Sequence, residues 1–252
     1  MTVIQGDQTA RVGAGSTVRT AVIWRGLQAE IDRRAADGPL RVVDVGGGSG
    51  GFAVPLACQG HHVSVVDPSP NALATLSRRV IDAGVADRVT AVQGDVATLI
   101  TAVGAQAADL VLCHSVLEYV DDPAAAVVAI RAVLRPGGLA SVVLANRAAA
   151  VLAKAIGGHF QLAAAGLQDA DGRFPGGDTA LRRYDPVSAA ALLAGAGLTV
   201  EQVHGVRVVA DLVAGTVDIE HPTDDLLSLE LALSDQLPYR DLATQLHLLA
   251  RR

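Results

Sequence analysis

The chain has 252 residues, half of them hydrophobic, and a formal net charge of −6. That is enough apolar material for one sizeable core, and it excludes a disordered tail or a disulfide-stapled miniprotein. The acidic balance also excludes a general nucleic-acid coat protein, since phosphate binding relies on Lys and Arg.

Seven acids and no Lys or Arg fall within 211–235, so removing those seven charges from −6 leaves +1 and room for a local basic face. Cys58 and Cys113 lie in apolar surroundings without a C-x-x-C spacing, which gives neither a disulfide framework nor a zinc site and points to a reducing, cytoplasmic setting. The longest uncharged stretch, 45–66, holds six glycines, Pro55, His61 and His62, a composition no membrane-spanning helix tolerates. The amino terminus lacks the basic start and apolar run of an export signal.

In chain order, helical spacing of apolar residues predicts an amino-terminal helix over about 17–35, carrying Arg19 and Trp24. Short, nearly continuous apolar runs predict strands at 40–44, 62–67, 89–94, 109–114 and 139–145, with helices at 51–59, 69–83, near Thr98 and at 123–134 between them. The turn 134–138, Leu-Arg-Pro-Gly-Gly, is expected to be a structural turn feeding the fifth strand. The rhythm breaks over about 146–184, an insertion or lid that starts helical and becomes rich in Gly, Asp and Pro. It resumes with a helix at 186–196, a strand at 199–209, an acidic helix at 224–237 and a strand at 245–250, the two closing strands forming an antiparallel pair at one sheet edge. The expectation is one domain, 1–252, of the α/β class: a Rossmann-like, mostly parallel sheet with helices on both faces.

The strongest local signal is the glycine-rich turn after the first strand. Gly46, Gly48 and Gly51 satisfy the dinucleotide pattern G-x-G-x-x-G, while Asp44 with Gly46, Gly48 and Gly50 satisfies D-x-G-x-G-x-G. A carboxylate two residues before the glycines would crowd a pyrophosphate but suits a cofactor carrying an ammonium group, such as S-adenosylmethionine. Asp67 ends the second strand where ribose hydroxyls would lie, a feature nicotinamide enzymes share. Asp95, after the third strand, could accept from an adenine amino group, with Val96 offering its backbone amide. His114 and Glu118 follow the fourth strand beside the same crevice. His61 and His62 have no partner cluster, so no metal site is expected.

Together these residues resemble a class I S-adenosylmethionine-dependent methyltransferase, whose seven-stranded sheet has an antiparallel last strand. Within it the chain is similar to the tRNA 5-carboxymethoxyuridine methyltransferases, through Arg19 to Trp24, Leu40 to Gly50, His114 to Val120, Gly158 to Phe160, Gly205 to Val208, and Pro238 with Tyr239. The resemblance implies that Arg19 reaches the cofactor's methionine carboxylate, Gly46 and Gly47 its backbone, Asp67 the ribose, Asp95 and Val96 the adenine side, and His114 the sulfonium side. A guanidinium pairs bidentately with a carboxylate, which gives Arg19 an independent rationale.

A carboxylate acceptor is ionised at neutral pH and needs no general base. Arg207 is then the candidate that fixes it, with Tyr239 and Asn146 as secondary candidates, while His114 would be the base for a hydroxyl or amine. The insertion carries five bases (Arg147, Lys154, Arg173, Arg182, Arg183) against three acids. The expected partner is therefore tRNA or a small-molecule carboxylate acceptor; a biosynthetic small-molecule methyltransferase and a non-catalytic cofactor-binding protein are the alternative readings.

Overall fold

The computed structural model describes residues 18–35, 38–176, 178–213 and 223–252. Thr17, at the start of the expected first helix, lies outside them, as do Asp218 and Glu220 of the acidic segment.

A seven-stranded sheet runs in the order β3-β2-β1-β4-β5-β7-β6. Its strands are β1 (Arg41–Val45), β2 (His62–Asp67), β3 (Val89–Gln93), β4 (Ala108–His114), β5 (Leu134–Ala145), β6 (Thr199–Val206) and β7 (Gln245–Arg251). Pairing is parallel from β3 through β5, and β7 is antiparallel to both its neighbours. The closing strands do pair antiparallel, but β7 lies inside the sheet and β6 forms the edge.

Residues along β1 alternate between two cores. Val43 and Val45 pack with Val111, Ile130 and Leu193, whereas Val42 packs with Ile23, Leu27, Leu56 and Leu76. The first core lies under α4 (Leu99–Val103), α5 (Pro123–Val133) and α8 (Pro186–Gly195). The second lies under α1 (Val18–Ala35), α2 (Ala53–Cys58) and α3 (Pro70–Asp82). Each such buried aliphatic side chain stabilises the fold by about 1.5–3 kcal/mol.

Local chemistry sets the helix starts. Ser69, Asp122 and Asp185 each accept from the backbone of the first turn of α3, α5 and α8, and each is followed by proline at the first helical position. Between β5 and α8 the insertion holds α6 (Arg147–Ile156) and α7 (Phe160–Gln168).

Three boundaries differ from the sequence expectation. The Leu-Arg-Pro-Gly-Gly turn is a bulge within β5, where Ala108 and Leu110 of β4 face Leu134 and Leu139, and Gly137 takes a positive φ of 73°. Strand β6 stops at Val206 because Arg207 turns left-handed, at φ 60°. The acidic helix, α9 (Asp224–Leu233), ends before Pro238, which a helix interior cannot hold.

The order of connection reverses between β1 and β4, which opens a crevice at their carboxyl ends. Both the glycine turn and the loop after His114 therefore face one place. Short α4 leaves β1 to β3 partly uncovered, and a hollow of about 450 Å³ lined by Arg41, His62, Ser64 and Thr90 opens there, away from the glycine turn.

Candidate active site

Asp44, at the end of β1, is 3% exposed and finds neither a hydrogen-bond donor nor a cation among the described residues. Burial, with Asp67 nearby, pushes its carboxyl up to about 7. A Cβ on Gly47 would lie 2.5 Å from Asp44 Oδ2, so only glycine leaves that carboxylate open. Gly46, Gly48 and Gly50 all take positive φ, and a side chain on Gly50 would strike Leu76 Cδ1 at 2.4 Å. Gly51 has open space around it and no positive φ. The backbone therefore demands the glycines of D-x-G-x-G-x-G and not the last glycine of the dinucleotide pattern.

Asp67 accepts from Gly48 N and Ser69 N, each at 2.8 Å, one on each carboxylate oxygen. It ties two loops together and keeps a lone pair on each oxygen for further donors. Asp95 is exposed and exchanges hydrogen bonds with Thr98, accepting from its N at 3.0 Å and donating its own N–H to Thr98 Oγ1 at 2.9 Å. Val96 is 7% exposed with its side chain in the core.

Arg19, in the first turn of α1, donates from Nε to Gln245 Oε1 at 2.9 Å and from Nη2 to Ser115 Oγ at 3.4 Å. Burial chiefly, then the like charge of Arg207, lowers its pKa, and Glu118 opposes them. The charge of Arg207 is thus felt at Arg19, with Glu118 offsetting part of it. Glu118 is 2% exposed; Oε1 accepts from Ala145 N at 2.6 Å, while Oε2 is buried without a partner.

His114 is held by a buried chain. Its Nε2 lies 2.8 Å from Ser141 Oγ, which lies 2.9 Å from His247 Nε2, and the His247 ring stacks on His204 with centroids 5.3 Å apart. Burial first, then Arg19, pushes His114 down to about 3, so the imidazole is neutral at physiological pH and a poor base.

Arg207 is half-buried, 3.4 Å from Asp211 Oδ1, with Nε buried and unpartnered. Tyr239 is 47% exposed and opens a short 3-10 helix, Tyr239–Leu242, that packs on β6 at Gly205. Asn146 is 1% exposed and both its N–H donors are used. Nδ2 donates to Asp241 O and Ala243 O at 2.8 and 2.7 Å, and Oδ1 accepts from Ala148 N. It caps α6 and anchors the loop before β7, which leaves no N–H for an acceptor carboxylate.

Sequence reasoning missed Ser115, Gln245 and Glu230. Gln245 pairs with Arg19 across 226 residues, a relationship no local pattern reveals. Ser115 could have been suspected only through its left-handed φ of 57°, which is invisible in composition.

A reversed sheet order, an acid-led glycine turn, a second acid on β2 and an arginine over the cleft define a methyltransferase that uses S-adenosylmethionine. Residues 43–142 match the model of a methyltransferase domain, and the chain belongs to the class I S-adenosylmethionine-dependent methyltransferases. It is 31% identical to the tRNA 5-carboxymethoxyuridine methyltransferase of Escherichia coli strain K12 over 93% of this chain and 88% of that enzyme. It is also 32% identical to the ubiquinone biosynthesis O-methyltransferase of Xylella fastidiosa strain 9a5c, over 70% of this chain and 68% of that one.

Two solved structures share the fold. An S-adenosylmethionine dependent methyltransferase from Mesorhizobium loti matches with a TM-score of 0.60 at 22% identity, covering 93% of this chain and 100% of that one. The magnesium protoporphyrin IX methyltransferase of Synechocystis, crystallised with bound SAH, matches at 0.59 and 17% identity, over 93% and 85%.

The cofactor suits what is here. Asp44, a buried carboxylate with no cation beside it among the described residues, could take an ammonium, and Arg19, held by neutral partners, could take a carboxylate. No helix among the described residues is long and apolar enough to cross a membrane.

Proposed function

We propose that this enzyme methylates the carboxylate of 5-carboxymethoxyuridine at the wobble position of tRNA, forming the methyl ester, and acts in the cytoplasm. The observation that carries the reading is Arg207, whose charge reaches Arg19 and whose Nε is buried without a partner: one guanidinium would take the cofactor's carboxylate, and the other, giving up Asp211, would fix a second one. His114, whose basicity burial lowers, is a weak base for an acceptor that must first lose a proton, which fits an acceptor that is already ionised.

S-adenosylmethionine supplies an activated methyl group when bound. The chain's work is then placement. Arg19 takes the methionine carboxylate, Asp44 the ammonium, the backbone of Gly46 to Gly48 the adjoining atoms, Asp67 the ribose, and Asp95 with Val96 the adenine. Arg207 orients the acceptor carboxylate, Tyr239 lines its approach, and the 146–184 insertion serves as lid to a single methyltransferase domain. An ionised carboxylate is already nucleophilic, so catalysis rests on alignment and a fixed electrostatic field. The product ester is neutral, so the attraction of Arg207 for it falls once transfer is complete, which assists release.

The acids of 211–235 weigh less against tRNA than their number suggests. Glu230 is wholly buried, Asp235 pairs with Arg25, and Asp211 pairs with Arg207 and accepts from Thr244 Oγ1. A second reading, a small-molecule carboxylate, is favoured by the insertion, where Arg173 pairs with Asp171 and Arg183 with Asp178.

Labelled methyl transfer to purified tRNA bearing the free acid tests the proposal, with unmodified tRNA and simple organic acids as controls. Incorporation into the free-acid tRNA alone supports it. Turnover of an organic acid with none into that tRNA selects the second reading.

A further inference from the structure

The turn that carries Arg207 is shaped by a residue far from it in the chain. Glu230, on α9, is 0% exposed and has no basic partner among the described residues. Its carboxylate accepts three consecutive backbone N–H groups instead: Val208 N at 2.8 Å on Oε2, and Val209 N at 2.9 Å and Ala210 N at 2.7 Å on Oε1. Successive amides converging after a left-handed residue form an anion-binding concavity, and here the protein's own carboxylate fills it. The left-handed residue is Arg207 itself, a conformation an L side chain adopts only under constraint.

Neighbouring bonds lock the same turn from the other side. Thr244 N donates to Arg207 O at 3.1 Å, Gly205 N donates to Ser234 O at 2.7 Å, and Asp211 bridges Arg207 and the Thr244 hydroxyl. Of these, Glu230 alone satisfies the backbone just past Arg207. Without it three amides, two of them buried, would lack acceptors, and the strained φ would be held from one side only.

We propose that Glu230 is a positioning residue for the acceptor: by filling the amide concavity of 208–210 it fixes the left-handed turn that aims the Arg207 guanidinium. This rests on the reading of Arg207 as the acceptor's anchor. The acidity of α9, which as composition counts against an anionic partner, thereby serves the recognition of one.

The test compares Glu230→Gln, Arg207→Ala and the double variant. The glutamine is isosteric, but its NH₂ faces an N–H donor, so it can satisfy at most part of the set. Amide exchange at 208–210 should quicken in Glu230→Gln while β5 and β7 stay protected. KM for tRNA bearing the free acid should rise about tenfold, the scale of a misplaced binding group, with S-adenosylhomocysteine affinity within about twofold. Adding Glu230→Gln to Arg207→Ala should raise KM no further. If Glu230→Gln does not fold, Glu230→Asp, which keeps the charge one carbon short, should give a smaller change of the same kind.

Unchanged exchange, or a wild-type KM in Glu230→Gln when Arg207→Ala raises it, overturns the role of Glu230 and leaves Arg207 as the anchor. Additive effects in the double variant also overturn it. A wild-type KM in Arg207→Ala, or no transfer to this tRNA at all, removes the anchor reading and this inference with it.

Discussion

Gln245 on β7 holds the guanidinium of Arg19 on α1, Nε to Oε1 at 2.9 Å, while Ser115 at the end of β4 takes its Nη2 at 3.4 Å. Both partners are neutral, so the arginine is oriented without being neutralised. Its charge, in a partly desolvated place beside Arg207, is left for a ligand carboxylate.

Gln245→Ala should therefore weaken S-adenosylhomocysteine binding by about tenfold, the scale of one hydrogen bond to a charged group. Unfolding should change little, because Gln245 is a strand-end residue at half burial. Calorimetric titration measures it. Equal affinity in the variant would show that Arg19 is oriented by other means.

The state of Asp44 makes cofactor binding pH-dependent. Its folded carboxyl titrates near 7, raised by burial and by Asp67 from an ordinary 3.8. Only the ionised form pairs with an ammonium. Affinity for S-adenosylhomocysteine should therefore level off above about pH 7 and fall about tenfold per unit below it, with proton release on binding. The folding sign is opposite. The folded protein holds this proton and the unfolded chain does not, so the ligand-free protein loses stability as pH rises from about 4 to about 7. Asp44→Asn should flatten both trends, and a flat wild-type binding profile between pH 5.5 and 8 would contradict the assignment.

The two glycine patterns separate by substitution. Gly50→Ala, at a φ of 82° and with its methyl 2.4 Å from Leu76 Cδ1, should reduce cofactor affinity at least tenfold, whereas Gly51→Ala, with open space around it, should bind as wild type. Equal losses in both variants would return the turn to the dinucleotide pattern.

Much of the fold was legible because parallel strands are buried on both faces and read as apolar runs; β2 spans His62–Asp67 as expected from that pattern. The acids at strand ends were legible because topology brings carboxyl ends together whatever the details of packing. What escaped depends on register and long-range pairing. The chain Ser141, His114, His247 joins β4, β5 and β7, and nothing local marks Ser141 as the bridge. Charge counting failed for a related reason. It treats Glu230 as surface charge, whereas that carboxylate is buried under three amides, and it overlooks the pairing of Asp235 with Arg25 at the surface.

Pairing within the insertion has its own consequence. With Arg173 and Arg183 tied to Asp171 and Asp178, fewer of the insertion's cations are left to displace counterions from phosphate. Binding of tRNA should fall less than about tenfold between 50 and 200 mM salt, far from the 10³–10⁵ loss of a protein that makes six to ten phosphate contacts. Filter binding across that range reads the slope, and a steep one would place a basic face elsewhere on the molecule.

The central claim, that the acceptor is the carboxylate of 5-carboxymethoxyuridine in tRNA, is tested most directly by mass spectrometry of nucleosides from cells lacking the gene. The account predicts that the methyl ester disappears, the free acid accumulates in its place, and the ester returns with the wild-type gene but not with Arg207→Lys, whose ammonium cannot reproduce a bidentate clamp. An unchanged ratio of ester to free acid in the deletion strain would contradict it.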